Sequence, residues 1–229
     1  VIARAKSVEE LYPTAVGESG LRVSARTLPF SFVTQNERKT LYLNYKNTSA
    51  HSLRVELRPI ASSGFLRHDF PQTIPAGASG RVEFTYSVPR SSGYFGELID
   101  KFELRVEGSD EVVLVATNGH AIERFEILNN ELAPKAEFER QMLKFEDVGK
   151  DDKPFTVSVR LSNNGMEPLI IRSVQMSSPA LKCSLAAGAS IAPEKSVEMR
   201  VTVDPSQLDY GRNIERITLI MNDPGRPMR

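Results

Sequence analysis

The chain has 229 residues, 40% hydrophobic and 25% charged, which allows two cores of ordinary domain size and excludes a disordered polyampholyte. Its 29 basic residues are balanced by 29 acidic ones with no Lys/Arg run, so the field that draws phosphate backbones is missing and nucleic acid is excluded as the expected partner. One cysteine, Cys183, excludes an intrachain disulfide and a paired-cysteine metal knuckle, and no run of about 18 apolar residues offers a membrane span.

Residues 1–20 read as an entry segment or the tail of an upstream domain. Val1-Ile2-Ala3-Arg4-Ala5 resembles the end of a strand and lacks the apolar region of a secretory leader. Ser7 and Glu10 then stand at capping-box spacing, predicting a short helical turn that Pro13 limits. From residue 21 to 128, period-two alternation predicts strands with one face on a core. Leu41, Leu43 and Tyr45 form one such row, Val82, Phe84 and Tyr86 a second, and Phe102, Leu104 and Val106 a third. Turn signals separate the strands at Pro75-Ala76-Gly77 and Asn118-Gly119. Residues 129–135, Asn-Asn-Glu-Leu-Ala-Pro-Lys, form a short polar linker stiffened by Pro134. From 136 to 229 the alternation resumes, most cleanly at Phe155, Val157, Val159 and Leu161, with turns at Asn164-Gly165 and Asp223-Pro224-Gly225.

The two stretches repeat each other. Leu41–Tyr45, the turn at Asn47 and Leu53–Val55 recur 116 residues later as Val157–Leu161, the turn at Asn163 and Leu169–Ile171. Ile74-Pro75-Ala76-Gly77 before Val82–Tyr86 matches Ile191-Ala192-Pro193-Glu194 before Met199–Val203, and Tyr94-Phe95-Gly96 matches Tyr210-Gly211. That period is a whole small domain. Each copy holds about seven strand candidates at the turn spacing of a two-sheet sandwich, so the expected fold is all-β, two tandem immunoglobulin-like β-sandwich domains.

The motif order in the second copy resembles the Hydin-like (ASH-type) branch of immunoglobulin folds, and most of all its exported bacterial relatives of unknown function, which occur in tandem. Phe145, Asn163, Gly165, Pro168, Leu169, Ile171, Ile191, Gly211, Asn222, Asp223 and Pro224 carry the resemblance. Phe30, Asn47, Leu53, Val55, Ile74, Gly77 and Gly96 carry it in the first copy. These are fold motifs. The resemblance implies an exported, periplasmic or cell-surface protein. Many of those relatives hold a cysteine pair before the Ile-x-Pro turn, where this chain has Cys183 alone.

Catalytic, cofactor-binding and metal-binding residues are not expected. His51, His68 and His120 lie in separate segments without ligand spacing, no GxSxG nucleophile elbow occurs, and no acidic run has calcium-loop spacing. Cys183 reads as a small buried residue or a half-exposed loop thiol. Asn47-Thr48-Ser49 matches a glycosylation sequon, but its alignment with Asn163 favours a turn role.

The expected function is therefore a non-enzymatic interaction or scaffold module of an exported bacterial protein, with a protein or cell-surface partner and no cofactor. Two alternatives stand beside it. A carbohydrate-binding module would use an aromatic patch, for which Phe65, Phe70, Tyr94 and Phe95 are the candidates. An edge-strand, chaperone-like binder would pair with an extended segment, and Arg54, Glu56 and Arg58 beside Leu53, Val55 and Leu57 read equally as recruitment or edge protection. Because only Arg226–Arg229 follow the last turn, the second sandwich is expected to lack most of its final strand. That would leave Ile214, Ile217, Leu219 and Met221 on an open edge, with Val1–Ala5 of a neighbouring molecule as a possible donor.

Overall fold

The computed structural model describes residues 4–125, 131–145 and 148–229. Two compact units divide the chain, Val1–Ala121 and Ile122–Arg229. Each unit is an immunoglobulin-like β-sandwich, and helix is confined to short turns.

The first unit opens with α1 (Val8–Leu11). Ser7 Oγ accepts from the Glu10 N–H at 3.2 Å while Glu10 Oε2 accepts from the Ser7 N–H at 2.8 Å, the reciprocal cap that the spacing predicts. Its strands are β1 (Thr14–Ala15), β2 (Leu21–Val23), β3 (Thr27–Thr34), β4 (Arg38–Asn47), β5 (Leu53–Ala61), β6 (Leu66–His68), β7 (Thr73–Ile74), β8 (Ser79–Ser87), β9 (Gly96–Val106) and β10 (Val112–Ile122). They form two five-stranded sheets, ordered β1-β2-β4-β8-β6 and β3-β10-β9-β5-β7. Thr14 and Ala15 pair with Val23 and Arg22, and Val16 is fully buried, so residues 14–16 are part of this sandwich rather than an entry segment. Of the expected core, Leu43, Val82, Phe84, Phe102 and Leu104 are buried, whereas Leu41 and Tyr45 pack on its margin.

One expected turn is absent. Strand β10 runs straight through Asn118 and Gly119, pairing them with Ile99 and Leu98. A Cβ on Gly119 would stand 3.0 Å from both Phe30 Cβ and the Ser31 carbonyl oxygen, so this glycine lets β3 lie close to β10.

The second unit has β11 (Ala136–Phe138), β12 (Phe155–Asn163), β13 (Leu169–Met176), β14 (Leu181–Cys183), β15 (Ser190–Ile191), β16 (Ser196–Val203) and β17 (Ile217–Met221). Its sheets are β11-β12-β16-β14 and β15-β13-β17. By the repeat, the second of these corresponds to β7-β5-β9, and among the described residues no named strand stands where β10 and β3 do in the first unit. Val159, Leu161, Val201 and Leu219 are buried as expected, while Phe155 and Val157 are half-buried.

Part of the expected open edge is covered. The Leu219 N–H donates to the Arg229 carbonyl at 2.7 Å, the Arg229 N–H returns to Leu219 at 3.0 Å, and the Met221 N–H donates to Pro227 at 2.8 Å. Residues 227–229 thus hold the position of the first residues of β10. Ile214 lies in a loop, not in β17. Of the four residues expected on that edge, Ile217 alone is in β17 with its N–H and C=O outward and no strand beside them among the described residues, because its bonding side alternates with that of Thr218. Of the proposed donor Val1–Ala5, Val1–Ala3 lie outside the described residues, and Arg4 is bound to Glu10 of the same chain at 2.5 Å. Asn129 and Asn130 of the expected linker also lie outside them.

Candidate functional site

Polar side chains inside a sandwich are costly unless bonded, so their partners show whether they are free for chemistry. Asn47 and Asn163, 116 positions apart, are both fully buried. Asn47 Nδ2 donates to the carbonyls of His51, Ile74 and Pro75 at 2.8, 3.1 and 2.9 Å, and its Oδ1 accepts from the Ser49 N–H and hydroxyl. Asn163 Nδ2 donates to Glu167 and Ile191 at 2.8 and 3.0 Å, and its Oδ1 accepts from the N–H groups of Lys135 and Gly165. The repeated asparagine ties one turn to the short strand β7 or β15, which settles Asn47 in a turn role rather than as an exposed glycan acceptor. Asp223 is likewise consumed, accepting from the N–H groups of Ala136, Gly225 and Arg226.

A third buried network lies in the first unit. Asp100 Oδ2 accepts from the Tyr86 hydroxyl at 2.5 Å and the Ser63 hydroxyl at 2.6 Å, and Tyr86 also meets Thr117 Oγ1 at 2.7 Å. Burial, with Asp100 bonded to it, pushes the Tyr86 phenol up, so it stays protonated. Each of these groups has a partner within the sandwich.

The histidines do not converge. His68 stacks on Phe84 at 5.3 Å and meets Phe102 edge-on at 5.0 Å, and its buried Nδ1 has no hydrogen-bond partner. Burial lowers its pKa against the opposing pull of Asp69 and Asp100. A depressed folded pKa means that the unfolded chain binds the proton first, so stability is complete above the ordinary value of 6.5 and is lost as pH falls below it. Burial also lowers His120, opposed by Glu97. Urea midpoints taken between pH 7.5 and 5.5 should fall with pH, and His68→Phe should flatten part of that fall. Burial pushes the Cys183 thiol up, away from a reactive thiolate. Among the described residues, no three potential ligands gather as a metal site, and no helix is long and apolar enough to cross a membrane.

The aromatic candidates Phe65, Phe70, Tyr94 and Phe95 are all half-buried and form no single platform. Phe65, before β6, packs on Tyr94 at 5.1 Å, and Phe70, after β6, packs instead on Tyr45 at 6.0 Å. The charged row on β5 is tied sideways to β9: Arg58 reaches Glu103 at 2.5 Å, and Arg54 reaches Glu107 at 3.6 Å.

Exposed large apolar side chains occur in both units, and in the second several of them fall at one end of the sandwich. Phe155 pairs with Val203, and Met176 pairs with Ile217, so the start of β12, the ends of β13 and β16 and the start of β17 meet at one pole. Residues 148–154, which lead into β12, and residues 204–216, which join β16 to β17, lie there. Tyr210 is 89% exposed, Ile214 68%, and Phe145 and Met176 44% each. Lys150 Nζ lies 4.4 Å from the Tyr210 ring centroid, and Phe145 meets Phe155 edge-on at 5.0 Å. The matching pole of the first unit is closed. There Tyr94, the counterpart of Tyr210, lies on Phe65 and the core, and Gln35 Nε2 donates to its carbonyl at 2.9 Å. Sequence reasoning aligned the two tyrosines without separating their environments. The available signal was the change of Gln35-Asn36, which bond into this pole, to Asp151-Asp152 at the repeat positions.

A crystal structure of a protein of unknown function from Porphyromonas gingivalis W83 superposes with a TM-score of 0.58 at 21% identity, covering 92% of this chain and 96% of that one, which shows a shared fold. The ASH/PapD-like domain 7 of human CEP192 gives 0.38 at 14% identity over 55% of this chain and 99% of that one. The YadV chaperone gives 0.30 at 14% identity over 88% and 92%. No curated protein matches the chain. Residues 136–229, the second sandwich, match the family described as "Protein of unknown function (DUF1573)".

Proposed function

We propose that the chain is a non-enzymatic interaction module of an exported protein and that it holds a protein partner at the exposed pole of its second sandwich. The observation that carries this is the asymmetry of the repeat: Tyr94 is packed and bonded, whereas Tyr210 stands 89% exposed at the pole to which exposed Ile214, Phe145 and Met176 also belong. Large apolar side chains gathered in this way lose contact with water on binding, and tyrosine is an effective anchor because few rotamers are frozen. The buried polar groups described above are spent on the scaffold, which supports a binding role over a catalytic one. Placement outside the cytoplasm is supported by the resemblance of the second copy to exported bacterial relatives.

The test is selection of a displayed random-peptide library on the whole chain, followed by Tyr210→Ser combined with Ile214→Ser. Both residues are exposed, so the variant should melt within about 1 kcal/mol of the parent. Selected peptides should bind the parent and lose at least about tenfold in affinity on the variant, the loss of one interfacial anchor. Peptides that bind both proteins equally would exclude this pole.

A further inference from the structure

We propose that the outer face of the β11-β12-β16-β14 sheet carries an oxyanion-binding hollow, a site separate from the apolar pole and independent of its role. A depression of about 490 Å³ there is lined by Thr156, Lys182, Cys183, Ser184, Arg200 and Thr202. Lys182 stands opposite Thr202 across the strand pair, and Thr202 stands opposite Thr156 in turn. Arg200 is two residues from Thr202 on the same face, so Lys182 and Arg200 are diagonal neighbours, their backbone positions on the order of 7 to 8 Å apart.

Among the described residues neither cation has an ion-pair partner, and no carboxylate is among the residues that line the hollow. Arg160, the third cation of this face, already stands opposite Glu198. Two like charges on adjacent strands repel, and an anion between them removes that cost. Hydroxyls complete the donor set. Thr156 Oγ1 and Thr202 Oγ1 are 2.8 Å apart, so one donates to the other and the second keeps an O–H free. Ser184 fixes the backbone beside Arg200: its N–H donates to the Arg200 carbonyl and its Oγ accepts from the Arg200 N–H, each at 2.9 Å. Cys183 contributes to the wall but not to the charge, because burial keeps its thiol protonated.

Lysine, arginine and hydroxyl donors around an open hollow suit a phosphate, a sulfate or the carboxylate of an acidic sugar. The neutral chain as a whole gives polyanions no general attraction, so binding would have to be local. The test follows the amide resonances of residues 182–184 and 200–202 in the full chain. Sodium sulfate, sodium phosphate and polygalacturonate are titrated separately, each against sodium chloride at matched ionic strength. Saturable shifts confined to these residues are expected, weakened about tenfold by Lys182→Ala and by Arg200→Ala, the loss of one charge-assisted hydrogen bond each. Saturation by sulfate or phosphate identifies a small oxyanion as sufficient. Saturation by polygalacturonate alone assigns the site to a polymeric carboxylate. Shifts that chloride reproduces, that never saturate, or that survive both substitutions overturn the site.

Discussion

Replacing Asn163 by alanine should lower the stability of the second sandwich by about 3 to 4 kcal/mol, a large part of what a domain of this size possesses. The side chain is fully buried, and its loss strands two carbonyls, Glu167 and Ile191, and two N–H groups, Lys135 and Gly165. No shape-matched apolar group repairs that, because the orphaned atoms belong to three separate segments of backbone. Asn47→Ala should do the same to the first sandwich, through His51, Ile74, Pro75 and Ser49. Calorimetry of each variant should show one transition moved and the other retained. Loss of less than about 1 kcal/mol in both would mean that water replaces the asparagine and that the staple is not structural.

Phe30→Ala and Phe145→Ala should differ sharply although the two residues lie within one position of each other in the repeat. Phe30 is fully buried and meets Tyr86 edge-on at 4.6 Å, so truncation should cost about 3 to 5 kcal/mol. It also loosens the packing around the Tyr86 hydroxyl that serves Asp100. Phe145 is 44% exposed and touches Phe155 from outside, so its truncation should cost less than about 1 kcal/mol. Equilibrium urea unfolding of the two variants measures both. Equal losses would mean that the pole around Phe145 is packed in solution and that no apolar surface is offered there.

What the sequence conveyed and what it concealed follow from the range of the forces involved. Alternation in Phe155–Leu161 and Val82–Tyr86, and the recurrence of Asn47 as Asn163, are local or periodic, so two sandwiches and their turns could be read directly. Gly119 was misread because Asn-Gly is a turn pair by local propensity, whereas here the glycine answers to Phe30 and Ser31 from a distant strand. Phe65 and Tyr94, two of the candidates for an aromatic patch under the carbohydrate-binding alternative, pack on each other. Tyr210 escaped notice. Its alignment with Tyr94 is sound, but burial depends on what other segments bring to the pole, and this is not written in the residue or its neighbours. The proximity of the like charges of Lys182 and Arg200 is likewise invisible along the chain and follows only from the register of β14 on β16.

The most direct test of the partner-binding reading is to map where a peptide selected on the whole chain lands, using amide chemical-shift changes across both sandwiches. The account predicts changes concentrated in residues 143–145, 174–177 and 208–217, with the closed pole around Tyr94 unaffected. Changes centred on Phe65 and Tyr94, or on any surface that leaves Tyr210 and Ile214 unmoved, would contradict it.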